Sequence, residues 1–154
     1  ALLEAECFEA VTVMVQKEVA QRIAAEPGTA EYGAFSVFCQ YYAQPELLFD
    51  VPPHCFLPQP KVTSAVVTLR VRQQRPWDIP DKGLFFRVVR SSFAMRRKKL
   101  SNGLASGFPE LGKSGAEDVL RACGLPDNVR GETLGIDEFA MIANAIAGRK
   151  REAQ

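Results

Sequence analysis

Four prolines fall within the nine residues from Pro52 to Pro60, and the chain then runs at once into Ser64-Ala65-Val66-Val67-Thr68-Leu69-Arg70-Val71. Each proline removes a backbone donor and fixes φ at about −65°, so this segment cannot lie inside a helix or a central strand and must form a stiff loop. The β-branched, unbroken run that follows predicts a largely buried strand over 64–72. A rigid loop feeding a buried strand can hold one side chain in a fixed place, and Phe56 sits at the loop's centre. A large ring left in water forfeits about 1.5–3 kcal/mol of burial. On periodicity alone, then, Phe56 reads either as a plug folded back on the core or as a ring held out for a ligand.

The rest of the chain sets the context of that loop. Residues 1–9 read as the end of a helix with an exposed acidic face, and Ala10 to Val15 as a buried strand. Gln16 to Glu26 predicts a helix with Val19, Ala20, Ile23 and Ala24 inward, stopped by Pro27-Gly28. Ser36 reads as the N-cap of a short helix through Tyr42, Pro45 as its end, and Glu46 to Val51 as a strand. This order is that of an α/β sheet whose last connection, lacking a helix, brings an antiparallel edge strand. Three strands make a poor domain by themselves, so the piece reads as the second half of a doubly wound sheet.

Residues 1–74 are thus assigned to the sheet and 75–83, with Pro76, Pro80 and Gly83, to a linker. Residues 84–148 form a small all-helical domain and 149–154 a frayed tail. Its helices are expected over Leu84–Met95 (Phe85, Val88, Val89 and Phe93 inward), Lys98–Ala105, Ser114–Cys123 and Ile136–Ala147. Gly124 should supply the left-handed terminus of the third, with Pro126 beyond. The last should bury Phe139, Ile142, Ala143 and Ile146.

Net charge is only +1, so composition does not announce a nucleic-acid binder, but distribution does. Arg87, Arg90, Arg96, Arg97, Lys98 and Lys99 are six basic residues in the 23 from Leu84 to Ser106, with no acidic one. That asymmetry is a footprint for a polyanion; the plainer reading of such a run is a solvated helix face. Cys7, Cys39, Cys55 and Cys123 form no C-x-x-C pair, which suggests reduced thiols and no metal site. No apolar run approaches the ~18 residues that span a bilayer, and the expected location is the cytoplasm. Gln16, Lys17 and Glu18 form either a polar cluster at a strand's carboxyl end or, for Glu18 with Arg22, an i,i+4 surface pair. His54, the single histidine, reads as a loop residue.

Phe56-Leu57-Pro58-Gln59-Pro60-Lys61-Val62-Thr63-Ser64 resembles the F-x-P-x-P-K-V-x-S motif of the ribosomal RNA adenine dimethyltransferases at every fixed position. Gln16 to Arg22, Tyr32-Gly33 with Ser36-Val37 and Gln40-Tyr41-Tyr42, and Phe93 to Asn102 are similar to further segments of that family, so the likeness spans nearly the whole chain. It implies the C-terminal part of a Rossmann-like methyltransferase sheet with its final strands antiparallel, followed by the helical domain. It also implies S-adenosylmethionine as cofactor and dimethylation of adjacent adenines in a hairpin loop of small-subunit rRNA, with the 30S ribosomal precursor as partner and the protein a monomer. Phe56 would take one face of the target adenine. Lys61 is either a phosphate contact or a surface lysine, and Arg87, Arg90, Arg96, Arg97, Lys98 and Lys99 would bind RNA. The family's glycine-rich turn and its Asn-Leu-Pro-Tyr motif are missing from this sequence, so the chain should hold no cofactor and be inactive by itself. A non-catalytic RNA-binding or ribosome-assembly module is the alternative, and an unrelated α/β protein with a fortuitous basic helix is a third reading that the proline motif argues against.

Overall fold

The computed structural model of the protein describes residues 2–5 and 7–152. It divides into two compact units, one of residues 1–26 and 30–75, the other of 27–29 and 76–154.

The first unit holds β1 (Ala10–Gln16), α1 (Lys17–Ala24), α2 (Ala34–Tyr42), β2 (Ala43–Val51) and β3 (Ser64–Val71). The strand order is β1-β3-β2, with β3 antiparallel to both neighbours. The antiparallel connection is as expected, but β3 is central among the described strands and not an edge. Its side chains explain the place: Ala65, Val67, Thr68 and Leu69 are buried, and a strand covered this well has its backbone donors satisfied on both sides. The edge positions among the described strands fall to β1 and β2, which is why Pro45 is accommodated inside β2, opposite Leu69, where it had been expected to end the preceding helix. The α1 helix packs on all three strands through its buried Ala20 and Ile23.

The Ser36 hydroxyl does not cap α2 in the expected way. The helix begins at Ala34 with Gly33 as N-cap, and Ser36 in its first turn accepts from the Gly33 N–H (3.1 Å) while donating to the Arg22 carbonyl (2.5 Å). One residue thereby satisfies a helix start and a helix end. Gln40 does similar work, its Nε2 donating to the carbonyls of Ile23 and Ala25. Residues 1–9 were expected to be the end of a helix; among those described, 2–5 form a turn.

The second unit contains α3 (Lys82–Ala94), α4 (Leu100–Gly107), α5 (Gly112–Ala122) and α6 (Ile136–Glu152), with a single 3-10 turn at Gly131–Thr133. Asp81 caps α3, its Oδ1 accepting from the Leu84 N–H at 2.9 Å, so the helix starts two residues before the predicted Leu84. The core holds the expected stripes except Phe93, which is only partly covered: Phe85, Val88 and Val89 from α3, Phe139, Ile142, Ala143 and Ile146 from α6, joined by Leu104, Phe108, Val119 and Leu120. Gly124 takes φ +70°, and the Leu125 N–H returns to the Leu120 carbonyl at 3.0 Å, closing the expected left-handed terminus of α5. Of the expected tail 149–154, residues 149–152 continue α6, and 153–154 lie outside the described residues. Arg149 holds this end of the helix, with Nη1 donating to the Gly115 carbonyl and Nη2 lying 3.4 Å from the Asp118 carboxylate.

Candidate nucleic-acid interface

The proline loop leaves β2 at Val51 and makes one 3-10 turn over Pro53–Cys55, closed by the Cys55 N–H to Pro52 and the Phe56 N–H to Pro53 carbonyls. Its two ends are fixed. Val51 pairs with Ser64 in the last rung of the β2–β3 ladder, and the Lys17 N–H donates to the Thr63 carbonyl at 3.0 Å. Phe56 follows the turn in an extended conformation (φ −120°, ψ 150°), and its ring is half-buried. It is less covered than the fully buried rings of the protein, such as Phe85 and Phe139, which show none of their surface. Leu57 beside it is fully exposed, and His54, Cys55 and Lys61 are exposed as well. At the carboxyl end of β1, Lys17 Nζ meets the Asp50 carboxylate at 2.5 Å, and Arg22 pairs with Glu18 at 2.6 Å as the i,i+4 reading expected. Burial pushes the Cys39 thiol up to about 11, so it stays protonated at neutral pH.

The basic run lies on no helix face. Met95 to Lys99 form the turn between α3 and α4, with Lys99 as the N-cap of α4, where the sequence had predicted a helix from Lys98. The six cations, unopposed along the sequence, are not all unopposed in space. The Arg96 Nε donates to Glu132 at 2.8 Å. Arg87 is tied down more fully: its Nε and Nη2 both donate to the Gly107 carbonyl, its guanidinium stacks 4.2 Å from the Phe108 ring centroid, and Glu110 lies 3.6 Å away. Arg90, Arg97, Lys98 and Lys99 are exposed and make no ion pair among the described residues.

Arg97, Lys98 and Lys99 line a concavity of about 500 Å³. Its other walls are Asn102 of α4, Lys113 and Glu117 of α5, and Asn128 and Arg130 of the segment leading to Gly131. Five cations thus line it with one carboxylate, Glu117, although the Arg130 guanidinium also lies 3.8 Å from the Glu132 carboxylate. Sequence reasoning missed Lys113, Arg130 and the two asparagines, because each stands alone in its own segment and only the packing of α4 on α5 gathers them. Among the described residues, no three His, Cys, Asp or Glu side chains group as a metal site would need, and no helix is long and apolar enough to cross a membrane.

The sheet unit carries a clamped aromatic loop and the helical unit a cationic hollow, and comparison with known proteins places the chain in a family. The family model for ribosomal RNA adenine dimethylase matches residues 1–147. A ribosomal RNA small subunit methyltransferase A from Geobacillus kaustophilus is 49% identical over 139 residues, covering 89% of this chain and 47% of that protein. Its counterpart from Caldanaerobacter subterraneus subsp. tengcongensis is 44% identical over 146 residues, covering 94% and 53%. In structure, a dimethyladenosine transferase from Plasmodium falciparum superposes with a TM-score of 0.81 at 19% identity over 96% of this chain and 61% of that one. The 23S rRNA methyltransferase ErmE gives a TM-score of 0.65 at 20% identity, over 94% and 57%. The chain belongs to the ribosomal RNA adenine dimethylase family and spans about half the length of the relatives it matches.

Such a family implies S-adenosylmethionine. The described sheet unit does not offer the usual cradle: its one glycine, Gly33, has an extended backbone (φ −165°) and caps α2 in place of opening a turn between a strand and the helix behind it. The described residues of the sheet unit therefore present no glycine-rich turn to hold the cofactor.

Proposed function

We propose that this chain is the target-recognition half of an S-adenosylmethionine-dependent rRNA adenine N6,N6-dimethyltransferase, acting in the cytoplasm on adjacent adenines of a small-subunit rRNA hairpin loop during ribosome biogenesis. The observation that carries the reading is the Phe56 loop. An adenine whose amino group is to be modified must leave its stack, and an aromatic face repays the lost stacking by ~1–3 kcal/mol per base. Phe56 offers a partly exposed ring on a segment held at both ends, so little order is lost when a base settles on it. Lys61, five residues on and exposed, is placed to meet a flanking phosphate. Arg90, Arg97, Lys98 and Lys99 supply sequence-independent hold on the backbone, while Arg87 chiefly braces α3 against the end of α4 and Arg96 ties the turn after α3 to Glu132.

Two results are expected. Calorimetric titration of the 154-residue chain with S-adenosylmethionine should show no binding, and micromolar affinity would overturn the division into halves. Fused behind the corresponding upstream half of the Geobacillus kaustophilus relative, the chain should dimethylate small-subunit rRNA; a fusion that binds cofactor and RNA but modifies no adenine would favour the non-catalytic module.

The electrostatic part has its own test. With about four phosphates contacted, log K for RNA should fall with log salt at a slope of roughly −3, at ~0.7 per contact for single strands and ~0.9 for duplex. Neutralising Arg97, Lys98 and Lys99 together should flatten that slope by about 2. Arg96→Gln alone should leave it nearly unchanged, because that guanidinium is already engaged by Glu132. Equal slopes for the triple variant and the parent would reduce the run to a solvated surface.

A further inference from the structure

The cationic hollow does not stand alone. A second concavity of about 360 Å³ adjoins it, sharing Lys98, Asn102 and Lys113 and floored by Met95 and Ala105. Met95 is 41% exposed at the end of α3. The first basin is lined mostly by charge, the second sets a thioether and a methyl beside Lys98 and Lys113, and an amide with two donors and an acceptor is common to both.

Two of the shared or adjoining cations sit where stability alone would not put them. Lys99 is the N-cap of α4 and Lys113 lies in the first turn of α5, and a helix start carries partial positive charge that disfavours a cation. Neither helix start has a side-chain cap. The two helix ends therefore add to the field of the side chains where they could have offset it, which is unfavourable in the free protein and favourable once an anion arrives.

Charge by itself would suit any stretch of backbone. The apolar shelf beside it suits something flat and partly hydrophobic attached to a phosphate. We propose that these paired basins form a nucleotide seat in the helical unit, separate from the Phe56 loop, that takes one unpaired RNA nucleotide with its phosphate among Lys98, Lys99 and Lys113 and its base laid over Met95 and Ala105 with Asn102 at its edge. The proposal rests on the reading of this chain as an RNA binder and adds to it a preference for RNA with an extruded nucleotide. A perfect duplex could fill only the charged basin.

The probes are two fluorescein-labelled RNA hairpins, one perfectly paired and one carrying a single unpaired adenosine in its stem, titrated with the 154-residue chain by anisotropy. The bulged hairpin should bind severalfold more tightly. Met95→Ala should abolish most of that preference while leaving the salt slope alone, and Lys113→Gln should flatten the slope by about 0.7–0.9, one contact. Because the Phe56 ring could also prefer an extruded base, Phe56→Ala is the control, and the preference should survive it. If the parent binds neither hairpin, the RNA reading falls and the seat with it. If it binds both but Met95→Ala and Lys113→Gln change nothing, or the preference vanishes only with Phe56→Ala, the seat is refuted and the RNA reading stands.

Discussion

Gly103→Ala should lower the melting temperature of the helical unit by roughly 10–20 °C. A Cβ at this position would lie 2.5 Å from the Ser91 carbonyl oxygen and 3.4 Å from its carbon, so α3 and α4 touch backbone to backbone there. Overpacking a filled site costs about 1–3 kcal/mol, and the upper end applies because the obstruction is main chain and cannot rotate away. For a unit of this size each kcal/mol is worth about 4–8 °C. The α3–α4 approach also sets the turn that carries Arg97, Lys98 and Lys99, so the variant should lose RNA affinity at temperatures where it is still folded. Gly148→Ala makes the matching control. Gly148 is exposed in α6 with nothing within 4 Å of the added carbon, and alanine there should stabilise by about 0.4–1 kcal/mol through helix propensity and a less flexible unfolded chain. Thermal unfolding followed by circular dichroism decides both, and a Gly103→Ala protein melting with the parent would mean that the two helices are not held at this spacing.

The contrast between those glycines illustrates what a sequence discloses and what it withholds. Periodicity located the apolar stripes of α3 and α6, because a helix that must bury one face repeats its large side chains at three and four residues whatever it packs against. Gly124 was legible for a similar reason, its φ of +70° being a local demand that glycine meets without strain. Nothing local distinguishes Gly103 from Gly148, and only the partner helix does. The same holds for the sheet. A buried strand after the proline loop was readable, but its place between β1 and β2 depends on which backbone edges are free, and that is a property of the assembled sheet. Arg87 and Arg96 looked free because their partners, the Gly107 carbonyl and Glu132, lie 20 and 36 residues away. Lys113 and Arg130, conversely, looked isolated and turn out to share a hollow with the basic run. The motif around Phe56 was the most legible part of the candidate site, since four prolines dictate a rigid loop before any neighbour is known.

That loop carries the other large expected effect. Phe56→Ala should cost well under the ~3–5 kcal/mol of a core phenylalanine deletion, because part of the residue is already in contact with water, and the melting temperature should move by only a few degrees. In the fusion with the upstream half, the same change should slow methylation roughly five- to a hundred-fold, the loss of ~1–3 kcal/mol of base stacking. Phe56→Tyr and Phe56→Trp should retain much of the rate, since any π face can stack. Phe56→Leu should not, although leucine restores most of the apolar volume. The discriminating comparison is thus Leu against Tyr at matched stability. If Phe56→Ala melts many degrees lower, and leucine serves as well as tyrosine, the ring works by filling space and the adenine must find its stacking partner elsewhere.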